Sequence, residues 1–81
     1  MQDDLIFVGY RRFTSKSNNE CYVLDFITQP KELRNGSGMY VSQVSVFVEE
    51  KKYLSFVEKN KLLSIVTLPF EIVGNKVRYI I

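Results

Sequence analysis

The chain of 81 residues contains no histidine, no tryptophan, one cysteine, two prolines and no long apolar run. Each shortage removes a class of function. Without histidine, neither a Ser–His nor a Cys–His nucleophile pair can be built. Cys21 alone admits no internal disulfide and no multi-cysteine zinc site, and with no base beside it in sequence it reads as a structural thiol. No stretch approaches the ~18 consecutive apolar residues of a membrane-spanning helix. The opening MQDDLIFVGYRR is acidic first and apolar only briefly, which does not read as a signal peptide. The glycine-bearing NGSG at 35–38 lacks the strand and helix that frame a phosphate loop, so it reads as a turn. No repeat or linker divides the chain. The expectation is one cytoplasmic domain over residues 1–81, not an enzyme, with no cofactor, no metal and no membrane partner.

Six Phe and five Tyr are more aromatic bulk than so small a core needs, which leaves some for the surface. The formal net charge of +2 leans only weakly towards an anionic partner. Asp3-Asp4 point apart in a strand, and Glu49-Glu50 suit the positive end of a helix better than acid–base chemistry.

Hydrophobic periodicity divides the chain into strands and one helix. Leu5–Val8 is continuously apolar and ends at Gly9, where a strand would bend or bulge. Beyond it Tyr10, Arg12 and Thr14 alternate with Arg11, Phe13 and Ser15. KSNN at 16–19 is a turn, because Ser and Asn bond their own backbone and Asn tolerates positive φ. Glu20–Thr28 is a second strand with Tyr22, Leu24 and Phe26 on one parity, and Asp25 marks the other as outward. Gln29–Gly38 is a loop, and Met39–Val48 a third strand. The period then becomes helical over Glu50–Asn60, with Tyr53, Leu54, Phe56 and Val57 on one side and Asn60 as a left-handed terminator. Leu62–Thr67 resumes strand character until Pro69 interrupts it. Phe70–Val73 and Lys76–Ile81 flank Gly74-Asn75, a hairpin signal of type II′.

Three strands, a helix and two strands predict a mainly β fold, a β-barrel with one helix. The order matches an OB-fold-like five-stranded Greek-key barrel, β-β-β-α-β-β, with the helix plugging one end. An SH3-like barrel with an inserted helix is the other topology compatible with these elements. In element order, length and the Tyr/Phe/Arg-bearing first hairpin, GYRRFTSKSNNECYVLDF, the chain resembles the small single-stranded-DNA-binding proteins of phages and mobile elements. That resemblance implies an OB-fold with little outside the barrel, and non-specific coating of single-stranded DNA during replication or transfer of a mobile element.

The residues point the same way independently. Tolerant binding of single strands needs cations along the backbone and π-faces for bases, each stacked base contributing roughly 1–3 kcal/mol. Tyr10-Arg11-Arg12-Phe13 puts an aromatic and an arginine on each face of its strand, with Lys16 in the next turn. The alternative is one aromatic in the core and two solvated arginines. With Val44, Val46 and Val48 inward, Gln43, Ser45 and Phe47 face out, unless the helix or a partner covers Phe47. Lys76 and Arg78 on the last hairpin would border the same groove, and Lys31 and Arg34 are loop cations of lesser promise. Single-stranded DNA is the expected partner, with RNA also acceptable to such a surface. A second functional reading is a protein-interaction module of phage or plasmid type, binding through a sheet edge or the Phe47 face. In that reading the apolar VRYII strand recruits another protein or forms a homodimer.

Overall fold

Two alternating stretches joined by a Ser- and Asn-rich turn fold back on each other. In the computed structural model, which describes residues 1–81, they are β1 (Gln2–Thr14) and β2 (Glu20–Thr28), paired antiparallel. Ser15 N–H donates to the Asn19 carbonyl at 2.8 Å, and Asn18 takes a φ of 61°, a conformation that Asn tolerates better than most residues. Pairing steps from Phe7↔Phe26 to Gly9↔Asp25, so Val8 is the extra residue of a bulge. The bulge exchanges faces. Leu5 and Phe7 point inward before it; Tyr10 and Arg12 take that side after it, opposite Leu24 and Tyr22.

The Gln29–Gly38 segment holds a short strand, β3 (Lys31–Glu32), paired with β4 (Met39–Tyr40) as a separate two-stranded ribbon. The expected third strand, 39–48, is therefore two. Its barrel portion is β5 (Gln43–Val48), antiparallel to β2. The break falls where Ser42 N–H donates to Thr28 Oγ1 at 2.9 Å, and the Thr28 N–H donates to the Ser42 carbonyl at the same distance.

The helix α1 spans Glu50–Lys59 and lays Tyr53, Phe56 and Val57 on the barrel. Leu54, expected on that side, is exposed. Asn60 is extended, not left-handed, and closes the helix differently: its backbone N–H and its Nδ2 both donate to the Phe56 carbonyl at 3.0 Å. Residues 61–64 form a turn instead of continuing a strand, with Leu63 at φ 70°. Its N–H donates to the Phe7 carbonyl at 2.6 Å, which returns the chain to β1.

β6 (Ile65–Val73) runs through Pro69 without interruption, pairing Gln2–Ile6 of β1 on one side and β7 (Lys76–Tyr79) on the other. Proline is tolerated there because of ladder phase. Phe70 N–H donates to the Met1 carbonyl and Ile80 N–H to the Pro69 carbonyl, both at 2.9 Å. The missing N–H of Pro69 would have pointed at β7, at the last rung of that ladder, and β7 ends beside it. Gly74 alone of the turn pair has positive φ, 63°, in keeping with type II′.

The sheet order is β5-β2-β1-β6-β7, with the helix between the third and fourth barrel strands. This is the OB connectivity, and the five strands curl into a nearly closed OB-fold-like barrel. Leu5, Phe7, Leu24, Phe26 and Leu68 fill it under Tyr53, and Phe56 meets Phe7 edge-on at 5.0 Å and Phe26 at 5.7 Å between ring centroids. No helix is long and apolar enough to cross a membrane.

Candidate functional site

The outer face of β1, β2 and β5 carries Arg11 and Phe13, Asp25 and Val23, and Gln43, Ser45 and Phe47 in cross-strand register. At its middle lies a polar cluster. Arg11 Nε donates to Asp25 Oδ2 at 3.0 Å, its Nη2 to Oδ1 at 3.4 Å, and Ser45 Oγ donates to the same Oδ1 at 2.7 Å. The cluster ties all three barrel strands together across the face. It also occupies Arg11 and Ser45, both named from sequence as ligand contacts.

Next to the cluster is an aromatic pair. Phe13 and Phe47 meet edge to face with centroids 6.4 Å apart. Phe47 is 66% exposed and Phe13 41%, so no helix or strand covers either. Between Arg11 and Phe47 in the register lies Val23, fully buried yet on the outer parity and apart from the barrel core. Phe47 is the direct cross-strand neighbour of Val23 on that face, so keeping Val23 out of water favours the ring lying over it.

A cleft of about 830 Å³ separates β5 from β7. Gln43, Ser45 and Phe47 line one wall, and Lys76 and Arg78 line the other. Arg78 makes one ion pair, to Glu71 at 3.7 Å with both side chains half exposed or more, a contact worth at most about 1 kcal/mol and easily exchanged for another anion. Lys76 and Lys16 make no ion pair.

Gln43, Ser45, Phe47, Lys76 and Arg78, all named from sequence, thus meet at one cleft, and Phe13 stands next to it; Lys31 and Arg34 do not line it. Neither do Tyr10 and Arg12. Tyr10 turns to the core side, 6.1 Å from the rings of both Phe7 and Tyr53. Arg12 lies opposite Tyr22, whose phenol is pushed up by burial and then by the Glu50 carboxylate. Lys16 sits in the β1–β2 turn. Sequence reading missed the Arg11–Asp25–Ser45 cluster and the buried Val23. Asp25 in the middle of an alternating strand was the available signal for a cation across the sheet. No three Cys, Asp or Glu side chains gather as metal ligands.

No protein-family model, curated protein or solved structure matches this chain.

Proposed function

We propose that this protein binds single-stranded nucleic acid, DNA foremost, without sequence preference, and acts in the cytoplasm as the small OB-fold proteins of phages and mobile elements do. The observation that carries this reading is the exposed Phe13–Phe47 pair on the same side as a cleft walled by Lys76 and Arg78. Bases stack on Phe47 and against the edge of Phe13. Phosphates run past Lys76 and Arg78 and towards Lys16, and the Gln43 amide meets base edges. Arg11 and Ser45 act through Asp25, holding β1 and β5 in place under the rings. Tyr10 and Arg12, turned to the other side, contribute no contact.

Titration with oligo(dT), duplex DNA and RNA at two salt concentrations tests this. Tyrosine emission is the signal, since tryptophan is absent. Binding to oligo(dT) above duplex is the expected result, and no binding to any of the three at low salt overturns the proposal. Phe47→Ala should weaken oligo(dT) binding about five- to a hundredfold with the salt slope unchanged. Arg78→Ala should weaken it less and flatten the slope.

A further inference from the structure

β5 and β7 are the two ends of the sheet, and no backbone hydrogen bond joins them. Every pairing between them is antiparallel, so the two end strands run in the same direction. An odd number of strands paired this way closes only through one parallel seam. A sixth strand running against both edges would instead complete an antiparallel ladder throughout.

Ladder phase identifies the groups such a strand would meet. From the Thr28–Ser42 bond onward, Val44 and Val46 exchange hydrogen bonds with β2, which leaves the main-chain N–H and C=O of Gln43, Ser45 and Phe47 directed at the cleft. From the Ile80–Pro69 bond, Lys76 and Arg78 bond to β6, and Val77 and Tyr79 offer theirs. Neither edge is blunted by a proline or a bulge, and QVSVFV carries no charge, although sheet edges usually have such protection. The facing side chains alternate too. Val44, Val46 and Tyr79 face the interior, and Val77 shares their side at the exposed end of its hairpin; the cations Lys76 and Arg78 stand on the outer rim.

We infer that this cleft is a second kind of site: it accepts an extended peptide segment of another protein, alternating apolar and acidic residues, as the sixth strand of the barrel. Apolar side chains of the segment fill the space over Val44, Val46 and Val77. Its carboxylates face out against Lys76 and Arg78. Gln43–Phe47 gives an edge long enough for about five to seven residues. A peptide satisfies both the N–H and the C=O groups of the two edges. The sugar–phosphate backbone of DNA accepts from the N–H groups only, and the donors on its bases do not recur at the spacing of a strand's carbonyls, so the edge chemistry favours a polypeptide.

The test is fluorescence anisotropy with a labelled seven-residue peptide of alternating glutamate and valine, compared with two controls. One is a scrambled peptide of equal composition, and the other is N-methylated at every second amide. Hydrogen exchange of the Gln43, Ser45, Phe47, Val77 and Tyr79 amides is followed in parallel. The alternating peptide should bind and slow exchange at those five amides. Scrambling or N-methylation should each weaken binding tenfold or more, as should the double variant Lys76→Glu, Arg78→Glu. Equal binding of the scrambled or N-methylated peptide overturns the inference. So does saturation by the alternating peptide with unchanged amide exchange, or protection of those amides by oligo(dT) but not by the peptide.

Discussion

Leu63 takes a φ of 70° with a side chain 75% exposed, so it bears the left-handed penalty of an L-residue and gains little packing in return. The turn requires this, because the Leu63 N–H must reach the Phe7 carbonyl. Leu63→Gly removes about 1–2 kcal/mol of steric cost against about 0.5–1 kcal/mol of added unfolded-state freedom. The variant should be more stable by up to about 1.5 kcal/mol, read as a higher urea midpoint at unchanged slope. A lower midpoint would mean that Leu63 packs more usefully than its exposure implies. Tyr79 offers a different test. Its hydroxyl donates to Asp3 Oδ2 at 2.9 Å, and burial, then that bond and the Asp3 charge, push the phenol up to about 12 from an ordinary 10.0. The folded state thus holds this proton more tightly than the unfolded chain. The stability it contributes is complete below pH 10 and lost as pH rises towards 12. Tyr79→Phe should be less stable than the parent at pH 8, with the difference shrinking across that interval; a constant difference would show that folding does not hold the phenolic proton more tightly.

At the scale of elements, the bulge in β1 decides which aromatic and which arginine reach the outer face. The sequence marked it by Gly9, yet the extra residue is Val8, and Gly9 has neither positive φ nor a close neighbour. A Cβ built there would lie 4.0 Å from Asp25 side-chain atoms, an ordinary contact. Gly9→Ala should therefore keep the fold and gain up to about 1 kcal/mol from a stiffer unfolded chain; a loss above about 2 kcal/mol in chemical denaturation would mean that the bulge does depend on glycine. The main strands, the helix and the II′ turn were legible because period, turn chemistry and end charges are local properties. The division of 39–48 was not, because it depends on Thr28 bonding Ser42 from fourteen residues away. Likewise Pro69 looked like an interruption until the pairing phase of β6 was known. The candidate site was legible as a set of outward residues on β5 and the last hairpin. Which of Tyr10–Phe13 joins them required the bulge, and the partners of Arg11 required the register.

The whole molecule measures 45 × 30 × 24 Å with a radius of gyration of 14.3 Å, against about 12 Å for a compact chain of this length. The β6–β7 hairpin outruns β1 and leaves Ile72 58% and Val77 52% exposed, and the β3–β4 ribbon stands apart from the barrel sheet. With a net charge of only +2, the molecule has little long-range field, so affinity for a polyanion must come from local contacts. Three phosphates met by Lys16, Lys76 and Arg78 give an expected log–log salt slope of about −2 for a single strand. A slope steeper than about −4 would require cations from elsewhere, such as Arg12 or the helix lysines. The bulge also has a consequence for how the chain folds. Residues 9–14 of β1 are secured by hairpin partners about six to sixteen residues away, whereas Gln2–Ile6 also pair with Pro69–Ile65, roughly sixty residues downstream. One continuous strand therefore joins the shortest loop closure in the barrel to the longest, and the folding rate should follow the distant half. Shortening the 29–38 segment should speed folding only modestly, since closure entropy varies as the logarithm of loop length.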